Sequence, residues 1–279
     1  MTFARPLAAA CAAAIICASL AAQSQVIQPA NAEKTTETRT LPLASGSTLK
    51  VKNVNGFIRV EAWDREEVQF TGEFKPSSKD EQVKVVLELG DRNLVIRVEY
   101  PKNSGWRWNY HSPECNMTLK VPRRVSAKLA TVNGEVVLSG TQGAARLTTV
   151  NGGVRATDLA DSLKATTVNG AITFAQVRGE LVLQTVNGAI KGSGLDGLGK
   201  GLKASTVNGS IHLQTAGLKG RLKASTLDGA ITFNAKGAEQ VEIKKKTVDG
   251  ELRSKVTAVF PGEGQGIELE TVNGAITLD

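Results

Sequence analysis

Polar and apolar positions alternate with a period of two through most of the chain. Almost no stretch shows the three-to-four-residue period of a helix. From residue 126 onward the alternation is punctuated by a recurring tetrad, Thr-Val-Asn-Gly or a close variant, whose glycines are Gly134, Gly152, Gly170, Gly188, Gly209, Gly229, Gly250 and Gly274. The intervals are 18, 18, 18, 21, 20, 21 and 24 residues. Three residues before each Gly stands Thr, and two residues after it an aliphatic residue, such as Ile172 or Ile190. The columns seven and five residues before the Gly are apolar and compensate in size, Ala145 with Leu147 in one repeat and Leu163 with Ala165 in the next. That is the volume trade expected inside one packed layer. Lys245 breaks the column and predicts a local bulge or change of register in its repeat.

Each repeat therefore reads as a strand, an Asn-Gly corner, a second strand and a polar turn. Two all-β architectures fit. Asn-Gly between alternating strands is a strong hairpin signal, so an antiparallel meander is one. A β-solenoid, with each repeat one coil stacked on the last, is the other. The solenoid is preferred because only stacking explains why Thr and Val recur. Identical side chains about 4.8 Å apart can form ladders. The expected ladder is Asn133, Asn151, Asn169, Asn187, Asn208, Asp228, Asp249 and Asn273. Gly is expected to supply a left-handed corner.

Residues 49–60 follow the same columns, with Asn53 in place of Thr. The next motif Gly comes 78 residues later, and strand-like runs at 67–74, 82–89, 93–100 and 116–121 fill the interval. The reading is a single-chain, parallel β-helix-like solenoid of about eight to nine short coils. Residues 33–125 form the first coil plus an inserted antiparallel β cap, docked as a sheet on the first coils. Residues 126–279 form the repeat domain. The chain ends on a strand without a cap, which predicts an open C-terminal coil able to stack on a partner and form an oligomer.

Residues 1–32 read as a signal peptide. Arg5 precedes an uncharged apolar run, 7–22, shorter than a membrane-spanning helix needs, and Ala30-Asn31-Ala32 offers a cleavage signal. Cleavage is placed after Ala32, with Ala21 or Ala22 as alternatives, and a retained anchor is the competing reading. Removing 1–32 takes away one basic residue and no acid, leaving 33 basic against 27 acidic side chains, a formal +6. It leaves Cys115 as the single cysteine. No internal disulfide is then possible, and Cys115 is expected to be a small buried hydrophobe. The expected location is exported: periplasm, outer surface or secreted.

The repeated Thr-Val-Asn-Gly-x-Ile, with the upstream Val54-Asn55-Gly56-x-Ile58-x-Val60-x-x-Trp63-Asp64-x-x-x-Val68, resembles a bacterial family of β-strand-repeat proteins of the envelope, labelled "putative adhesin" and of unknown function. The resemblance covers nearly all of residues 45–279. It implies a β-solenoid and a cell-surface or periplasmic location, and brings no catalytic motif.

Candidate chemistry is sparse. His111 and His212 are far apart, and no metal-ligand cluster, nucleophile elbow or phosphate loop appears. No cofactor or metal is expected. Asp158 and Asp161, three apart in a loop, fit turn chemistry. A carbohydrate-active enzyme is the least favoured reading, because short coils leave no wall for a cleft.

Two features point to binding. Six residues before the Gly stand Lys128, Arg146, Lys164, Val182, Lys203, Lys223, Lys244 and Glu268. Alternation puts this column outside, where six cations in a row would favour a linear anion such as an acidic polysaccharide. No nucleic-acid partner is expected; another envelope protein is the other candidate. The bland alternative is a solvated lysine face that discourages aggregation. The second feature is the aromatic cluster Trp106, Trp108 and Tyr110, set in a long loop and able to stack on sugar rings or, alternatively, to cover the apolar end of the first coils.

Overall fold

The computed structural model describes residues 23–28, 34–75, 83–100, 113–195, 198–234, 236–248, 251–264 and 266–279. Among these, all regular structure is β, in two sheets of thirteen and eleven strands, here called sheet A and sheet B. No helix among the described residues is long and apolar enough to cross a membrane.

The repeat builds a solenoid. In each coil the strand before the corner joins sheet A and the strand after it joins sheet B. Leu163–Thr166 pairs in parallel with Ala145–Thr148 and with Leu181–Gln184 in sheet A. Ile172–Val177 pairs in parallel with Val154–Leu159 and Ile190–Ser193 in sheet B. The two apolar columns face inward, and Leu147, Leu163, Ala165, Ile172, Leu181 and Leu183 are at most 1% exposed. Phe174 fills a wide point of the core beside Gly192, where a Cβ would lie 2.1 Å from the Phe174 ring. One contiguous hydrophobic core runs the length of the stack.

The corner glycine has a reason other than the one expected. Gly56 has φ +121, but none of the seven described motif glycines, Gly134, Gly152, Gly170, Gly188, Gly209, Gly229 and Gly274, has a positive φ. What these corners require is close approach. A Cβ on Gly152 would lie 2.0 Å from the carbonyl oxygen of Gly134, and one on Gly170 1.9 Å from that of Gly152. Any side chain would drive the coils apart.

Coil order departs from sequence order at the far end. The strands Ile267–Thr271 and Ile276–Leu278 insert between the coil of Leu202–Thr206 and that of Gly220–Thr226. The expected open C-terminal coil is therefore corrected: Ile276–Leu278 is paired on both sides, by Ile211–Leu213 and Ile231–Phe233. The repeat ending at Gly250 is not a coil. Its segment, Gln240–Val248, turns back against Glu251–Phe260 as an antiparallel hairpin, which itself pairs with Gly220–Thr226. Lys245, an anomaly in its apolar column, sits on this outermost strand. The open strand edges at this end are Gln240–Val248 in sheet A and Ile231–Phe233 in sheet B.

At the other end the cap is not a separate docked layer. Its strands continue both sheets. Asn93–Glu99 pairs in parallel with Thr48–Lys52 and antiparallel with Lys84–Gly90, extending sheet A. Glu114–Pro122 pairs in parallel with Ile58–Trp63 and antiparallel with Glu67–Lys75, extending sheet B. The switch from parallel to antiparallel lets short hairpins close the core. Gln23–Ile27 then adds to Lys84–Gly90 at the edge, with Ile27 3% exposed.

Candidate functional site

The outward column of sheet A was the principal candidate, and register now fixes its neighbours. Lys50 lies beside Lys128, Lys128 beside Arg146, and Arg146 beside Lys164. All four are exposed. Adjacent strands put them about 4.8 Å apart, a row of roughly 14 Å. The outward neighbours on these strands are short or cationic: Thr48 and Lys52, Ser126 and Ala130, Thr148, Thr166. No carboxylate stands on the outward face of these four strands. The result is a flat platform crossed by a ridge of positive charge.

Beyond Lys164 the row changes character. Val182 follows, then Lys203. Coil insertion then places Glu268 between Lys203 and Lys223, with Nζ–carboxylate distances of 3.5 and 3.9 Å. Lys203 and Lys223 are thus locally compensated. Lys244 is not in the row, because it sits on the outer hairpin strand beside Lys255 and pairs with Glu242 at 2.8 Å. The expected six-membered ladder becomes an uninterrupted run of four. Lys50, which the repeat motif alone does not reach, opens it. The Lys50 of the first coil was visible in the sequence as the same column, 78 residues upstream.

The Asn ladder forms. Each Nδ2 donates to the Oδ1 of the preceding coil, Asn133 to Asn55, Asn151 to Asn133, Asn169 to Asn151, Asn187 to Asn169 and Asn208 to Asn187, at 2.8–2.9 Å. Asn273 then donates to Asn208 at 2.9 Å, so the ladder follows coil order and not sequence order. Asp228 stands last, its backbone N–H bonded to Val272. Asp249 lies outside the described residues. The valines before these Asn form a second exposed file, Val54, Val132, Val150, Val168, Val186, Val207 and Val272, each 36–40% exposed.

The aromatic cluster Trp106, Trp108 and Tyr110, with His111, lies outside the described residues. Tyr100, just before it, donates to Asn53 Oδ1 at 2.7 Å and accepts from the Asn55 N–H at 2.9 Å. It locks the cap onto the corner of the first coil, and burial pushes its phenol up to about 12.

Other candidates resolve structurally. His212 points outward and meets Asp279 at 3.1 Å. Asp161 Oδ1 accepts from the Ser162 N–H at 2.6 Å, a turn contact, and Asp158 has φ +52 in a bend of the second strand. Cys115 is buried, and its thiol is pushed up to about 12 mainly by desolvation. A thiol held that far from its thiolate form is a poor nucleophile. Among the described residues no three His, Cys, Asp or Glu side chains gather as metal ligands would.

No curated protein matches the chain. Among solved structures it is similar to a protein of Clostridium sporogenes described as a "putative cell adhesion protein", with 11% identity over 88% of this chain and 99% of that one, at a TM-score of 0.39. It is also similar to a "putative adhesin" of Bacteroides fragilis, with 12% identity over 88% and 97% and a TM-score of 0.40. A third similar structure is a "putative lipid binding protein" of Parabacteroides distasonis, with 14% identity over 88% and 96% and a TM-score of 0.36. Residues 46–274, from the first coil to the last corner, match one family throughout, and the chain belongs to that family, Toastrack DUF4097.

Proposed function

We propose that this chain is an exported, non-enzymatic adhesin-like scaffold of the cell envelope, and that it binds a linear polyanion along Lys50, Lys128, Arg146 and Lys164. The observation that carries the reading is the acid-free row in the middle of sheet A. Like charges directly opposite one another on neighbouring strands are destabilising. Lysines that guard against aggregation belong on sheet edges, and these four strands are interior to the sheet. The row therefore costs stability without protecting an edge, and a chain of anions lying along the solenoid axis would offset that cost. An acidic polysaccharide fits the envelope setting and the short flanking side chains, which leave the cations accessible.

Export is part of the same proposal. The strand Gln23–Ile27 supports cleavage after Ala22 in preference to Ala32. Cutting after Ala22 keeps the strand on the cap edge, whereas cutting after Ala32 strips it and uncovers the site of Ile27. Mass measurement of the exported protein should give an N-terminus at Gln23.

The binding test is retention on immobilised polygalacturonate and heparin at two salt concentrations. The triple reversal K128E/R146E/K164E should weaken binding by more than about tenfold and flatten its salt dependence. The reversal K203E/K223E, at the positions already compensated by Glu268, should change it far less. Equal retention of wild type and triple variant would overturn the proposal. A screen against the same polymers for new reducing ends should remain blank; released ends would restore the carbohydrate-active reading.

A further inference from the structure

The coils turn at Thr226, but the hairpin beside them does not. Glu251–Phe260 pairs Ser254 with Thr226 and then runs on past the corner, and Gln240–Val248 runs with it. The overshooting end walls a groove of about 750 Å³ against the corners of the last coils. One wall carries Lys244, Lys246, Arg253 and Lys255. Lys244 stands opposite Lys255, and Lys246 opposite Arg253. Among the described residues Lys246, Arg253 and Lys255 have no carboxylate partner, while Lys244 is held by Glu242. The facing wall is Val207, Val272 and Leu227, the end of the exposed valine file. Among the described residues lining the groove, Glu270 is the single acid. Ser254, 3% exposed, also lines the groove, and its hydroxyl has no hydrogen-bond partner.

We infer that this groove binds a single-chain amphiphilic anion, its phosphate or carboxylate head on Lys246, Arg253 and Lys255 and its apolar tail along Val272 and Val207. Two chemistries meet here that the polyanion row lacks. Fixed cations facing one small space suit a compact anion, because charge-assisted bonds to it are short and strong. A wall of half-exposed valines suits a hydrocarbon, whose burial is favourable in proportion to area. An inorganic anion would leave the valines wet, and an uncharged chain would leave three cations uncompensated. The valine file leads out of the groove along the corner, so a tail longer than the groove continues over Val186 without leaving apolar contact.

The test is calorimetric titration of the whole protein with dodecyl phosphate below its micelle concentration, beside inorganic phosphate and dodecyl maltoside. Saturable binding of dodecyl phosphate alone is expected. K246E/R253E should weaken it by about tenfold or more, V272S should weaken it severalfold, and K128E/R146E should leave it unchanged. That last variant separates this site from the row in the middle of sheet A. Should the hairpin variant lose its fold by circular dichroism, wild-type protein gives a second reading: dodecyl phosphate should protect Lys246 and Lys255 from acetic anhydride. Equal affinity for inorganic phosphate, equal binding by wild type and a folded K246E/R253E, or no protection would overturn the assignment.

Discussion

The hydroxyl of Thr167 donates to the carbonyl oxygen of Gly152 at 2.9 Å. The same bond recurs one coil on, from Thr185 to Gly170 at 3.0 Å, and one coil back, from Thr149 to Gly134 at 2.9 Å. Thr and Gly are thus two halves of one contact. The Gly carbonyl is reachable from the next coil because the glycine stacked over it has no Cβ. Gly170→Ala should cost about 3 kcal/mol or more, since backbone must move on both coils. Thr167→Val keeps the shape but leaves a part-buried carbonyl unmet, at about 1 kcal/mol. Thr167→Ser should restore most of that loss. Urea midpoints of the three variants check the order, and a Gly170→Ala protein as stable as wild type would refute the stacking explanation.

The contact shows what the sequence could and could not reveal. The alternation of Leu163 and Ala165 with Lys164 was enough to place core and surface, because burial in a strand follows a strict period of two. The recurrence of Asn169 was enough to give the ladder, because only stacked coils bring such residues together. Why Gly recurs was misread, since φ and close approach leave the same residue in the sequence. Coil order was invisible for a different reason. Ile267 can pack on Leu202 as well as on Leu222, so column identity does not say which neighbour wins. The position of Glu268, the one acid in a cationic column, was the available signal: it sits where it can meet both Lys203 and Lys223. Lys245 likewise marked the repeat that leaves the stack. The groove beside the hairpin depends on where that hairpin overshoots, which no column of the repeat encodes.

Asp228 ends the ladder because a carboxylate cannot donate. Each member from Asn133 to Asn273 passes an Nδ2–H to the Oδ1 before it, and an ionised Asp has none to pass to Asn273. Asp228→Asn should therefore extend the ladder by one bond and stabilise the distal coils by about 0.5–1 kcal/mol. Asn169→Asp, in the middle, should do the reverse, losing the bond to Asn151 while keeping the one accepted from Asn187. Thermal midpoints at neutral pH distinguish them, and opposite signs are the expected outcome.

Removing residues 267–279 takes out an interior coil. The strands that flank it, Leu202–Thr206 and Gly220–Thr226, would both lose a partner, as would Ile211–Leu213 and Ile231–Phe233. Asp279 is tied in as well, its carbonyl accepting from the Thr215 hydroxyl and N–H, each at 2.7 Å. Residues 202–260 should then lose hydrogen-exchange protection as a block, while residues 126–177 keep theirs. In a solenoid, stability is close to a sum of nearest-neighbour terms, so the damage should not spread far. Protection retained over 220–233 would mean that the coil closes directly on Leu202–Thr206, contrary to the observed order.

Two weak acids in and beside the cap, the buried Cys115 and the half-buried Tyr100, set its alkaline limit. Desolvation raises the Cys115 thiol from its ordinary value of 9.0 to about 12, and burial raises the Tyr100 phenol from 10.0 to about 12. Both groups are neutral in the folded protein at pH values where the unfolded chain has released the proton. Their contribution is therefore complete below about pH 9 and is lost as pH climbs from there toward 12. Ionised Tyr100 could no longer donate to Asn53 Oδ1, so the cap should part from the first coil before the solenoid melts. Denaturation midpoints measured from pH 8 to 11 should fall for the wild type from about pH 9. For Cys115→Ala the fall should begin about one pH unit later, where the phenol alone remains. A thiol reagent at pH 8.5 should leave Cys115 unmodified until denaturant opens the cap. Prompt labelling of the native protein would contradict both the burial of that side chain and the pH window drawn from it.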